Sequence, residues 1–199
     1  MIVYRISHSR YSDDISGAGS KRYGSRWNSA GIPMLYTAEH ISLAILEMLV
    51  NTQFKDYDVA LDLMYIQFPP HPPASEIRAA KLKENWREDF EVTRFIGDEF
   101  INQKQNLLLK VPSAVVQEEY NYLANPLHSD FKKIKIIKTR SFWPDKLVQT
   151  VFKYLAGFLV RKFAFVYQNG FGAKIVLQVG RGADIGLDLG IEALQYGIA

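Results

Sequence analysis

The sequence predicts an α+β fold: a single compact domain with a C-terminal extension. Three observations predict it. Short apolar runs rich in branched and aromatic residues recur at uneven spacing, helix-length patterns separate only some of them, and no regular strand–helix alternation runs along the chain.

Taken in order, VYRI (3–6) reads as a short strand, and residues 12–31, rich in Ser, Gly and Asp, as a long loop. PMLYT (33–37) reads as a second strand. AEHISLAILEMLVN (38–51) has the length and the helix formers of an α-helix, with Thr37 as its N-cap. DVALDLMYIQF (58–68) alternates in part and predicts a strand, after which the proline group FPPHPP breaks the chain. A helical piece over 74–84 follows, then a helix over TRFIGDEFINQK (93–104). LLLKV and SAVVQ flank Pro112 as strand fragments, NYLANPLHSDF (121–131) reads as a polar loop, and KKIKII (132–137) as a last strand.

Composition excludes several classes of function. With no cysteine among 199 residues, a disulfide framework, a thiolate zinc site and a cysteine nucleophile are ruled out. Together with a start that lacks a secretory pattern, this makes the cytoplasm the expected location. Residues 1–145 carry 18 basic and 18 acidic side chains, so the body lacks the excess of positive charge that a nucleic-acid binder uses against phosphates. His8, His40, His71 and His128 have no metal-ligand spacing, so no metal is expected. There is no Walker loop, GxGxxG or GxSxG. Beyond Leu147 the character changes: residues 146–183 hold six basic and no acidic side chains, and a glycine-rich stretch follows. That tail reads as a docked helix and strand, an interface, or a membrane-surface element.

A few residues look capable of chemistry. On a helix, Glu47 has Leu43, Ala44 and Val50 as neighbours, so its carboxylate projects from an apolar face and must meet a cation or line a cleft. Arg26 lies in GSRWNSAG (24–31), where small neighbours let a guanidinium approach a carboxylate or a phosphate, and Trp27 beside it offers an anchor. A surface arginine in a turn, or a buried Arg26–Glu47 ion pair that fixes the helix, would account for the same residues. Arg5 interrupts an apolar strand, Tyr36 ends one, and Ser113 follows Pro112 between two apolar runs. Each of these has an ordinary structural reading as well.

In combination these pieces resemble the RES-domain family, named for an arginine, a glutamate and a serine. The matching stretches are VYRI, GSRWNSAG, LYT (35–37), SLAILEMLV (42–50), IGDEF (96–100), LLKVPSAVVQEEYNYLANPLHSDF (108–131) and SFWPDKL (141–147). They bound a RES domain at 1–147 and an atypical extension at 148–199. The resemblance implies a fold like that of ADP-ribosyltransferases and a toxin of a type II toxin–antitoxin pair. It implies an enzyme that depletes NAD⁺ by cleaving the nicotinamide N-glycosidic bond, by phosphorolysis or hydrolysis. Inorganic phosphate is then a possible co-substrate.

Carried over by position, the arginine falls on Arg26, the glutamate on Glu47 and the serine on Ser113 as catalytic residues, with Arg5 and Tyr36 joining them in binding NAD⁺. The family's usual glycine pair before RWN is Gly24 and Ser25 here. The implied partner is a helix-turn-helix antitoxin of the Xre type, and a homo-oligomer is expected. Two alternatives stand beside this: a protein ADP-ribosyltransferase using the same site, and a catalytically silent binding module.

Overall fold

The computed structural model describes residues 1–51 and 60–143, together with the backbone of two short strands at 173–175 and 191–193. Over Met1–Trp143 the chain forms one unit around a seven-stranded sheet. Its strands are β1 (Ile2–His8), β2 (Leu35–Ala38), β3 (Leu61–Gln67), β4 (Ala74–Glu76), β5 (Leu108–Pro112), β6 (Tyr120–Ala124) and β7 (Lys135–Phe142), in the order β4-β5-β6-β2-β1-β3-β7. All neighbours are antiparallel except β4 and β5, so the predicted α+β class holds.

The sheet buries both faces near its centre, and alternation along each strand decides which side chain goes where. On β1, Val3 joins Leu35, Met64, Ile66, Phe68 and Leu108 in a cluster on one face. Tyr4 and Ile6 point the other way and pack with Ala38 against Leu43 and Ala44 of α2 (Ile41–Asn51). On that second face α3 (Phe90–Gln103) also docks, placing Phe100 and Ile101 with Trp27, Met34, Trp86, Leu109, Val111 and Leu123.

Several expectations are corrected. Thr37 does not cap α2: it lies within β2, where its hydroxyl donates to the Tyr122 carbonyl at 2.7 Å, and the helix begins four residues later. The expected helix over 74–84 is instead β4 and a 3-10 turn at Ala79–Lys81, because Ala74–Glu76 pair in parallel with Leu108–Lys110. An isolated helix of that length is marginal, so sheet pairing prevails. SAVVQ bends away after β5, and the expected loop at 121–131 opens on strand β6. Within the predicted long loop, Ala18–Tyr23 form a short helix, α1.

α3 starts at Asp89, whose side chain accepts from the Glu91 amide at 3.0 Å. At Gly97 the helix meets the backbone of the Arg26–Trp27 loop so closely that an added Cβ would lie 1.7 Å from the Trp27 carbonyl oxygen. No helix among the described residues is long and apolar enough to cross a membrane.

Pro144–Ala199 form a second unit, in which β8 (Ala173–Ile175) and β9 (Ile191–Ala193) pair antiparallel. The readings of 148–199 as a docked extension, interface or membrane-surface element otherwise fall outside the described residues.

Candidate active site

GSRWNSAG leaves α1 through Gly24, whose φ of 69° suits glycine, and the loop then folds around a buried asparagine. Asn28 donates through Nδ2 to the carbonyls of Ser20 (2.9 Å), Ser29 (3.1 Å) and Ile32 (2.8 Å) and accepts at Oδ1 from the Tyr36 hydroxyl at 2.8 Å. That hydroxyl in turn accepts from the Trp27 amide at 3.0 Å. Trp27 is buried, its ring 6.1 Å from that of Trp86. Replacing Asn28 with alanine strands these groups, and unfolding in urea is expected to show a loss of about 3 kcal/mol.

α3 holds the other side of the loop. Thr93 donates to the Arg26 carbonyl at 2.7 Å, Arg94 Nε to the Ser25 carbonyl at 2.8 Å, and Asp98 accepts from the Ser29 amide at 2.9 Å. The Arg26 guanidinium is thereby presented from a fixed backbone. It donates through Nη1 to the Arg87 carbonyl and lies 4.4 Å from the Phe90 ring centroid. Burial pulls its pKa below the ordinary value, against the attraction of Glu47 and then Glu88. It remains a cation at any physiological pH.

Across from Arg26, α2 sets Glu47 one turn beyond the buried Leu43 and Ala44, as its helical position requires. Glu47 Oε1 accepts from the Ser113 hydroxyl at 2.9 Å and from Asn121 Nδ2 at 2.6 Å. Ser113 follows β5, where the chain bends, and its Oγ accepts the amides of Val115 (3.0 Å) and Val116 (3.1 Å). Two amides fill the oxygen's acceptor positions, so its single proton is directed to Glu47. Asn121 reaches the same carboxylate from β6, on the sheet face it shares with Leu123.

Between these walls lies an open cleft lined by Ser25, Arg26, Trp27, Tyr36, Glu47, Val50, Pro112, Ala114, Val115 and Asn121, with about 460 Å³ of empty space, its open mouth included. Arg26, Tyr36 and Glu47 line it, and Ser113 touches it through Glu47. Arg5 stands apart. It shares a strand face with Val3 rather than with Tyr4 and Ile6, and its Nη1 donates to the Tyr36 carbonyl at 3.1 Å. Burial lowers its pKa, partly offset by Asp14.

Sequence reasoning missed Asn121, Asn28 and the polar face of α3. A period-two reading of YNYLA, with Asn121 and Leu123 on one side, would have brought out the first. Among the described residues no three histidine or acidic side chains gather as metal ligands.

Burial raises the Tyr36 phenol far above its ordinary pKa. The unfolded phenol ionises near pH 10 while the folded one stays neutral, so this group's contribution is intact below about pH 10 and is lost as pH rises beyond it. Chemical denaturation from pH 9 to 11 is expected to show a shallower alkaline loss for Tyr36→Phe than for the wild type.

A mixed sheet with helices on one face, and a cleft pairing a loop-borne guanidinium with a hydrogen-bonded helical carboxylate, define the class as a small α+β domain built around one polar site. The chain belongs to the RES domain family, whose model matches residues 2–145. It is 36% identical over 147 residues to "Toxin Res" of Pseudomonas putida, covering 73% of this chain and 97% of that protein. It is also 36% identical over 137 residues to "Prs ADP-ribosylating toxin" of a Sphingobium species, covering 67% and 85%. Among solved structures it resembles a chain of the M. tuberculosis MbcT–MbcA toxin–antitoxin complex, with a TM-score of 0.59 at 17% identity over 78% of this chain and 88% of that one.

Proposed function

We propose that this chain is the toxin of a toxin–antitoxin pair and that its cleft cleaves the nicotinamide N-glycosidic bond of NAD⁺. One observation carries the reading: Glu47 is fixed by Ser113 and Asn121 at the edge of a cleft whose other wall presents Arg26. Breaking the bond between nicotinamide and ribose C1′ leaves positive charge on the ribose, and nicotinamide departs neutral with the bonding electron pair. A fixed carboxylate stabilises that charge or holds a ribose hydroxyl. A guanidinium anchors the phosphates. No general acid is needed for a leaving group that departs neutral.

In this reading Ser113 and Asn121 are positioning residues. Both hold Oε1, which fixes the rotation of the carboxylate before substrate arrives. Asn121→Ala is expected to lower kcat by about tenfold with KM for NAD⁺ little changed, since the carboxylate keeps its charge but loses its orientation. Asn121→Asp, which sets a second carboxylate against Glu47, is expected to lose more. A parallel fall for both variants in melting temperature alone, at unchanged kcat, would leave Asn121 purely structural.

Protein ADP-ribosylation is a second reading, favoured by the name of the Sphingobium relative. Products separate the acceptors. Purified chain incubated with NAD⁺, with and without phosphate, yields ADP-ribose 1″-phosphate if phosphate attacks C1′, ADP-ribose if water attacks, and labelled protein if a side chain attacks. The expected antitoxin is a small helix-turn-helix protein of the Xre type, and co-purification from co-expressed genes tests it.

A further inference from the structure

Trp86 and Phe90 flank Arg87 in sequence, and three guanidiniums gather on their rings. Arg26 Cζ lies 5.8 Å from the Trp86 centroid and 4.4 Å from that of Phe90. Arg87 Cζ lies 5.0 Å from the Trp86 centroid, and Arg94 Cζ 5.4 Å from that of Phe90. Ring contacts of this kind fix a guanidinium plane and leave its charge in place.

Among the described residues, nothing acidic neutralises the group by direct contact. The ion pairs there are Arg78–Glu76, Lys83–Asp89, Lys110–Glu76 and Lys133–Asp130, and they include none of the three arginines. Arg94 is committed through Nε to the Ser25 carbonyl. Arg26 leans on the Arg87 carbonyl through Nη1. Arg87 Nε is buried and has no hydrogen-bond partner. Like charges crowded together around an unmet buried donor are the arrangement that an anion relieves. At Arg26 burial acts first, the attraction of Glu47 and then Glu88 opposes it from a distance, and the charge of Arg87 adds a smaller repulsion.

We propose that Arg87 and Arg26 are two arms of a phosphoryl-anion site beside the cleft, with Trp86 as the plane that sets both forks. The ligand is a phosphate or diphosphate group: either the diphosphate of the dinucleotide or free phosphate acting as acceptor. Only the naming of those two sources rests on the NAD⁺ reading. The site itself rests on the arginine geometry.

Titration calorimetry of the full chain with inorganic pyrophosphate and with orthophosphate, against chloride at matched ionic strength, tests the site without turnover. The wild type is expected to bind at least one of the two anions, and Arg87→Gln to bind it about tenfold more weakly or worse. If Arg87→Gln does not fold, Arg87→Lys, which keeps charge but loses Nε and the fork, carries the comparison with an expected loss of about threefold. Equal anion affinity in the wild type and a folded Arg87 variant, or no anion binding beyond chloride, overturns the proposal. NAD⁺ kinetics then name the source. A raised KM for NAD⁺ in the variant assigns the dinucleotide's diphosphate, and a raised phosphate requirement at unchanged KM for NAD⁺ assigns the acceptor. A wild type that binds pyrophosphate but never consumes NAD⁺ upholds the site and refutes the proposed reaction.

Discussion

Glu47→Gln is expected to slow NAD⁺ cleavage by about 10²–10³-fold while the fold survives. The amide oxygen of glutamine can still accept from Ser113 and Asn121, so the two hydrogen bonds at 2.9 and 2.6 Å have a replacement acceptor. In the proposed reaction, what is lost is the negative charge facing the developing positive charge on the ribose. Because that charge grows only as the glycosidic bond breaks, the loss falls on kcat rather than on KM. The ion pairs of the described residues include no Arg26–Glu47 pair, and a melting curve beside the kinetics tests the structural ion-pair account independently. That account predicts a destabilised protein, since removing one partner of a buried pair strands the other.

Gly97→Ala is expected to cost more than about 3 kcal/mol and to lower activity together with stability. The new carbon would sit 1.7 Å from the Trp27 carbonyl oxygen and 2.8 Å from its carbon, both backbone atoms that no side-chain rotation can move. Either α3 or the loop must retreat by more than an ångström. Thr93, Arg94 and Asp98 hold the loop from that same stretch of helix, so a retreat loosens their hydrogen bonds as well. Arg26 then loses its position, and misplacement on that scale costs about 10²-fold in rate. Differential scanning calorimetry with NAD⁺ turnover on one preparation reads both effects. A Gly97→Ala variant with wild-type melting and turnover would mean that the loop does not depend on this close approach.

Much of the candidate site was legible before the structure through the resemblance to the RES-domain family, and two of its stretches also break local expectation. A glutamate among Leu43, Ala44 and Val50 contradicts an apolar helix face, and a tryptophan in a loop of small residues needs a place to be buried. Trp27 has that place, against Trp86. The parts that were not legible depend on long-range partners. The helix expected over 74–84 has suitable residues, but β5 captures its start as a strand. Asn125-Pro126 gives the stretch after β6 the character of a turn and hid the strand that brings Asn121 to Glu47. Arg5 and Arg26 look alike in sequence, yet strand alternation puts Arg5 on the face with Val3 while the loop carries Arg26 into the cleft. Tyr36, expected to pack against ligand, lines the cleft, and its hydroxyl joins the Trp27 amide to Asn28.

Release of free nicotinamide from NAD⁺ by the purified full chain, followed by proton NMR, tests the central claim most directly. The account predicts nicotinamide appearing one for one with NAD⁺ lost, at a rate that falls by about a hundredfold or more in Glu47→Gln. NAD⁺ left intact by a folded wild-type chain, or consumed equally fast by the folded Glu47→Gln protein, would contradict it.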